Sequence, residues 1–395
     1  MAHGGFWLTL AKGVGMSSSL LLAAAMANLI PLEVFGNYKF VLSGAGIIGA
    51  FTLTGMGSAI IQAVARGYEG ALSSGTREYL KWSLGMVGIS LAIALYYFVN
   101  GNNTLAISFL LVAAINPLLI GFSFFSQFIS GKKDFKTQSI YDSAADLIPA
   151  LILIGSLFLT QNPILIILVY FASGISINLL LHYATMRKYR PNTNVDPETI
   201  PYAKHLSLMG MIGKVAENID KVLVFHYLGA AQLAIYAFAQ TPIGQLKLLN
   251  DIPAKLALPK LSGQSFTVLQ SSLPRKIFLL VGIMLVIVAA YIIMAPFLFK
   301  LLFPKYLSSV IYTQILALSL IFAPGSMFSE ALTAHMKKKE LYVSQAILPL
   351  TKIGLFLLLL PLFGIWGAIG ATILSQALMF VLSAYLFWQS KLKTS

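Results

Sequence analysis

The sequence predicts an all-α integral membrane protein of about twelve transmembrane helices, arranged as two pseudo-symmetric halves of six. Three observations carry that expectation. The composition is too apolar for a water-facing surface, apolar runs long enough to cross a bilayer recur along the chain, and positive charge is distributed one-sidedly. Of 395 residues, 58% are hydrophobic and only 10% charged, whereas soluble domains are about a quarter charged.

A helical span needs about 20 mostly apolar residues, because in hydrocarbon each backbone N–H and C=O must be satisfied within its own segment. Such runs cover 7–30, 38–63, 80–99, 104–129, 139–160 and 163–186, then 206–228, 232–257, 277–301, 306–335, 341–361 and 364–388. The first, from Trp7 to Ile30, has no A-x-A-like cleavage site and reads as a retained span. Pro117, Pro149, Pro242, Pro296, Pro324 and Pro349 fall inside or at the edges of these runs, where they break helix hydrogen bonds and serve as bends.

The formal charge is +14, from 27 basic and 13 acidic residues. The basic residues form no dense tract, so no nucleic-acid partner is expected. With both termini taken as cytoplasmic, they gather in alternate segments. Arg66, Arg77 and Lys81 form one group, Lys132, Lys133 and Lys136 the next, and Arg187, Lys188, Arg190 and Lys204 a third. Lys247, Lys255, Lys260, Arg275 and Lys276 follow, then Lys337, Lys338 and Lys339, and finally Lys391 and Lys393. The opposite segments hold only Lys39, Lys300 and Lys305. This bias orients the chain in the cytoplasmic membrane as a multi-pass protein with both ends inside.

The polar stretch from Arg187 to His205 divides the runs into two sets of six. It suggests an N-terminal bundle over 1–190, a cytoplasmic linker over 191–205 and a C-terminal bundle over 206–395. A shift of 198 residues superimposes Tyr38 on Tyr236 and Phe40 on Phe238, each pair at the turn between the first two spans of its half. Six helices per half suit a parallel repeat about an axis along the membrane normal.

Four lysines, Lys12, Lys214, Lys221 and Lys352, lie inside spans. A charge at mid-bilayer costs about 2.5–3.5 kcal/mol on insertion scales, so it faces a cavity or a partner. At about 100° per residue, Lys214, Glu217 and Lys221 share one face of the seventh span, flanked by Asn218 and Asp220. That strip reads either as a self-neutralising set of helix pairs or as the lining of a water-filled cavity for an ionic substrate. Lys352, midway along the eleventh span, is a second candidate for the lining, and Lys12 either joins it or snorkels to the interface. Glu217, Asp220 and Glu330 are candidate ion-coupling acids. Asp142 and Asp146, at the opening of the fifth span, read as acids favoured by a helix N-terminus.

The absence of cysteine excludes disulfides and thiolate chemistry. Gly44-Ala-Gly-Ile-Ile-Gly49 has dinucleotide-loop spacing but lies inside the second span without a preceding strand, so close helix packing explains it better. No Walker loop, catalytic triad or metal-ligand cluster occurs, and outer loops such as Asn100–Asn103 and Thr160–Asn162 are too short for a catalytic domain. Neither enzymatic activity nor a cofactor is expected, beyond a coupling proton or Na⁺.

Four segments resemble a known family. Ala27–Tyr38 resembles the first-loop pattern of bacterial polysaccharide flippases, and Gly55–Gly67 the end of their second span. Asn218–Gly229 with Ile235-Tyr236 is similar to their seventh-span signature, and Leu258–Ser262 to the end of their eighth. The family is the oligosaccharide flippase (O-antigen-transporter-like) branch of the multidrug/oligosaccharidyl-lipid/polysaccharide exporter superfamily. The resemblance implies two six-helix bundles around a central cavity that opens alternately to each face. It also implies a glycan on an undecaprenyl diphosphate carrier as substrate, membrane lipid around it, and glycan-assembly proteins as partners. Basic residues of the first and seventh spans would face the diphosphate, here Lys12, Lys214 and Lys221. A drug/cation antiporter of the same superfamily is the main alternative, and a membrane glycan polymerase or ligase a more remote one.

Overall fold

The computed structural model describes residues 2–335 and 337–390, without the side chains of 2–4, 248–260, 262 and 338. The side chains of Lys255, Lys260 and Lys338, most of the Leu258–Ser262 motif, and Lys391 and Lys393 lie outside what is described. The described residues form helices and no strand. The chain resolves into two compact units, Met1–Asn218 and Ile219–Ser395.

In the first unit, α1 (Ala2–Leu29) is followed by α2 (Leu32–Gly49), α3 (Met56–Ala65), α4 (Ala71–Val99) and α5 (Asn103–Gly121). A 3₁₀ turn leads from α5 into α6 (Phe125–Gly131), and α7 (Phe135–Leu157) and α8 (Pro163–Tyr189) follow. Helix α1 packs on α7, α4 on α5, and α8 on both α5 and α7. Local chemistry sets several starts: Asn102 caps α5 through the Leu105 N–H at 3.1 Å, and Asn162 caps α8, whose second residue's N–H it accepts at 2.9 Å.

The second unit comprises the remainder of α9 (Thr199–Ser262), α10 (Phe266–Leu302), α11 (Ser309–Ala317), a 3₁₀ stretch (Leu318–Gly325), α12 (Ser326–Ala334), α13 (Lys338–Phe363) and α14 (Ile365–Gln389). Part of its core is Leu269, Leu273 and Ile277 of α10 against Phe328, Ala331 and Phe387.

Ten stretches of the described residues are long and apolar enough to cross a membrane, and the chain is a multi-pass membrane protein. The expected twelve spans differ from these ten at two places. The seventh and eighth are fused in α9, interrupted only at Gly229, whose φ of 84° suits a residue without a side chain. The second, expected as one run over 38–63, is instead broken into α2 and α3. Ala50, Phe51 and Thr52 donate to carbonyls three residues back, and the Thr52 hydroxyl donates to Gly49 O at 2.7 Å. A side chain that bonds locally competes with the helix ladder, which ends there. Helices α4, α9 and α10 also begin earlier than the apolar runs at 80, 206 and 277.

The two halves bury corresponding aromatic residues. Tyr38 and Phe40 of α2 and Tyr236 and Phe238 of α9 are all buried. Tyr38 meets the Tyr170 ring of α8 edge-on at 5.7 Å, while the Tyr236 hydroxyl lies 3.1 Å from Thr372 Oγ1 of α14. Helices α8 and α14 are the sixth and last spans of their halves.

One end of the first unit is closed by polar bonds. Glu69 pairs with Lys132 and accepts the Asn192 N–H at 3.2 Å, Asn192 Nδ2 donates to Gly67 O at 3.1 Å, and Arg66 pairs with Asp196. Asp134 caps α7 through the Thr137 N–H at 3.1 Å and accepts from Tyr189 at 2.6 Å and Lys188 at 3.3 Å. The Lys132 hydrogen bond, opposed by burial, holds the Glu69 carboxyl below its usual range. Burial raises the Asp134 carboxyl, but its bonds from Tyr189, Thr137 and Lys188 outweigh it and hold the group well below. A carboxyl depressed in the folded state stabilises above its unfolded pKa of about 4 and loses that contribution as pH falls through the folded value. The detergent-solubilised protein should therefore lose thermal stability below about pH 4. Asp134→Asn should lower the melting temperature by roughly 2–4 °C at pH 7 and flatten that acid limb in a pH series of melts.

Candidate functional site

Charged and polar side chains inside spans assemble into three groupings, two in the first unit and one in the second. The largest is a cavity of about 640 Å³ lined from α1, α5, α6, α7 and α8. Lys12 lies on its wall with Asp142, Asp146, Ser123, Ser126, Gln127, Gln138 and Asn178. The Gln127 and Gln138 Oε1 atoms are buried without a partner among the described residues. The expectation for Asp142 and Asp146 is corrected here. Helix α7 starts at Phe135 with Asp134 as its cap, and its first turn carries no acid. Asp142 and Asp146 lie two and three turns further in, beyond the reach of the helix dipole. Asp146 approaches α1 so closely that a Cβ on Gly15 would sit 2.6 Å from its Oδ2.

A neighbouring cavity of about 370 Å³ shares Leu119, Ile120 and Tyr170 with the first and is lined by Gly46, Asn116, Tyr79 and Lys214. Gly46 is where α2 receives α9: a Cβ there would lie 2.8 Å from Asn218 Nδ2. Gly44 likewise meets Phe109, whose ring a Cβ would approach to 2.9 Å. Close helix approach therefore accounts for the first two glycines of the Gly44–Gly49 motif. Lys214 pairs with Glu217 at 2.9 Å, with side chains 50% and 60% exposed.

The third grouping is in the second unit. Asp220 is 3% exposed. It accepts from Gln240 Nε2 at 3.0 Å, from the Tyr236 hydroxyl at 3.3 Å and from Lys221 at 3.5 Å. Lys352 of α13 lies within electrostatic reach and rests 5.8 Å from the Phe356 ring. A buried carboxylate with these partners is neutralised in place and ties the two parts of α9 together across Gly229, while Tyr236 in turn reaches Thr372 of α14.

The sequence-derived residues are thus only partly brought together. Lys214 and Asn218 stand with α2, Lys221, Asp220 and Lys352 form the second unit's cluster, and Lys12 lines the acidic cavity. Glu330 is half-buried on α12, in none of these groupings. Tyr236, Gln240 and Thr372 were not anticipated, although Gln240, a polar residue mid-span and 20 positions from Asp220, carried a readable signal. No group of His, Cys, Asp and Glu suited to a metal ion occurs among the described residues.

The result is a polytopic bundle with polar cavities among its span-forming helices, and its fold is similar to that of known transporters. An inward-facing multidrug resistance MATE family transporter of the MOP superfamily matches with a TM-score of 0.71 at 13% identity, over 96% of both chains. The lipid II flippase MurJ in an inward closed conformation matches at 0.69 and 14% identity, over 95% of this chain and 86% of its own. A MOP superfamily transporter from Pyrococcus furiosus matches at 0.66 and 15% identity, over 98% and 95%. A family profile described as polysaccharide biosynthesis protein matches residues 1–262, and the chain belongs to that family. No curated protein sequence matches it.

Two packing tests follow from these contacts. Gly46→Val should destabilise the protein by about 1–3 kcal/mol through overpacking against Asn218. Asn218→Ala in the same background should return part of that loss, as a double-mutant cycle of melting temperatures would show.

Proposed function

We propose that the protein is a flippase that carries an undecaprenyl-diphosphate-linked oligosaccharide across the cytoplasmic membrane by alternating access. One observation carries the reading. Lys214 and Glu217 lie midway along the Thr199–Leu228 part of α9, yet both side chains are at least half exposed. A charged pair at that depth is costly against acyl chains, so its exposure is to water. Lys214 is the cation of that hydrated surface and would hold the diphosphate electrostatically, with Lys221, Lys352 and Lys12 as further cations and Asn218 as a polar neighbour. Membership of a polysaccharide biosynthesis family supports a glycan cargo. The transport cycle makes and breaks no covalent bond and requires no enzyme or cofactor chemistry. Glu217, with its exposed carboxylate, is better placed than the saturated Asp220 to exchange a coupling proton or Na⁺, and Glu330 is a further candidate. Both termini would be cytoplasmic, beside the proteins that assemble the glycan.

A second reading, a drug/cation antiporter, is favoured by the acidic pair Asp142 and Asp146 in the larger cavity beside Tyr170 and Phe125. Carboxylates near aromatic rings suit an organic cation. Proteoliposomes separate the two readings. The flippase should translocate a purified polyprenyl-diphosphate glycan and leave a fluorescent cationic dye unmoved. Lys214→Ala and Lys221→Ala should each reduce that translocation at least roughly tenfold, the loss of one charge-assisted contact of about 1.5–3 kcal/mol, at unchanged membrane insertion. Normal glycan transport by the double variant would remove the assignment.

A further inference from the structure

Helix α2 ends at Gly49 and α3 begins at Met56, and the break between them forms a groove of about 270 Å³ with α4 and the start of α9. The break contributes Phe51 and Thr52 to its wall, and α4 contributes Trp82. The α9 side is Lys204, Ser207, Leu208 and Met211. These four follow at i, i+3, i+4 and i+7, so they share one face of the helix and Lys204 belongs to the wall itself. The hydroxyls are spent locally. Thr52 donates to Gly49 O at 2.7 Å, while Ser207 accepts the Gly55 N–H at 2.9 Å and donates to Ala203 O at 2.7 Å. The Lys204 ammonium lies 5.0 Å from the Trp82 ring and forms no salt bridge among the described residues. The nearby acid, Glu78, is already engaged: it pairs with Lys81 at 3.5 Å and accepts the Trp82 Nε1–H at 3.2 Å.

The level of the groove in the membrane follows from the two helices beside it. Along α9, Lys204 and His205 precede the apolar run that begins at Leu206, and along α4, Arg77 and Lys81 precede Trp82 and Leu84. Both helices therefore change from charged to apolar at the groove, the depth at which headgroups give way to acyl chains and at which tryptophan and lysine anchor a span. Phe51, Trp82 and Leu208 are exposed, so the groove opens outward and is not sealed by the protein. A hollow open to the bilayer at that depth is filled by lipid, and the cation on its wall selects which. We infer that the groove binds an anionic phospholipid, with its phosphate on the Lys204 ammonium and an acyl chain along Phe51, Leu208 and Met211. A phosphatidylethanolamine covers the same apolar side chains but brings its own ammonium beside the phosphate, so it gains less from Lys204. The inference is independent of what the protein transports.

Trp82 itself reports the occupant. The chain has four tryptophans, and Trp7→Phe, Trp366→Phe and Trp388→Phe together leave Trp82 as the sole indole of the full-length protein. Reconstituted with phosphatidylglycerol or phosphatidylethanolamine of identical brominated chains at equal mole fraction, its fluorescence is quenched by whichever lipid sits in the groove. Phosphatidylglycerol should compete roughly fivefold better, the effect of one cation near an anionic headgroup. With Lys204→Ala the two lipids should quench alike, and with Lys204→Arg the preference should persist. Lys81→Ala, which removes a neighbouring charge that does not line the groove, should leave the preference in place. If the three indole replacements unfold the protein, native mass spectrometry of the unsubstituted chain and of Lys204→Ala reads the same change. Equal quenching before any lysine is altered, a preference that survives Lys204→Ala, or an equal loss with Lys81→Ala overturns the proposal. So does displacement of phosphatidylglycerol by an equal concentration of polyprenyl phosphate, which would assign the groove to a prenyl chain.

Discussion

A charge inside a membrane span has two stable circumstances, a partner that neutralises it or water that solvates it, and this chain uses both on a single helix. Along α9, Asp220 is closed in by Lys221, Gln240 and Tyr236, whereas Glu217 and Lys214, three and six residues earlier, stand exposed. The first arrangement fixes the two parts of α9 against each other across Gly229. The second leaves a cation and an acid able to exchange partners.

The cavities of the first unit extend the same logic. Their walls combine carboxylates, amides, hydroxyls and two lysines, Lys12 in one and Lys214 in the other, and they share Tyr170 and two aliphatic side chains. Helix α7 can carry acids two and three turns inside because Gly15 lets α1 approach Asp146 without a side chain between them. Small residues at the contact thus do two jobs, bringing the backbones together and leaving polar atoms room beside them. The polar closure around Glu69 and Asp134 holds the ends of these helices in register, and the Asn192–Asp196 segment is bonded into it.

Much of this was legible in the sequence, because lipid imposes one-dimensional rules. Helical class and multi-pass character follow from apolar length, whereas the chain divides at Asn218/Ile219 and not at the polar stretch Arg187–His205. What escaped depends on three dimensions or on local competition. The break at Ala50–Gly55 turns on a threonine hydroxyl bonding its own helix, within a run that is apolar throughout by composition. Asp142 and Asp146 were misread because hydropathy placed the start of the span at 139, four residues after α7 begins, which set them near a helix end they do not occupy. The seventh-span strip was found, but spacing on a helical wheel could not show that Asp220 has a private set of partners from α9 beyond Gly229.

That last distinction bears on how the cationic residues divide their work. Lys221 and Lys352 both stand near the buried Asp220. Lys214 differs, since its carboxylate partner is exposed and the pair is screened by water. Its contact with Glu217 is weak enough to yield to a multiply charged anion. The two lysines of α9 thus differ in setting, one paired with an exposed acid and the other with a buried one.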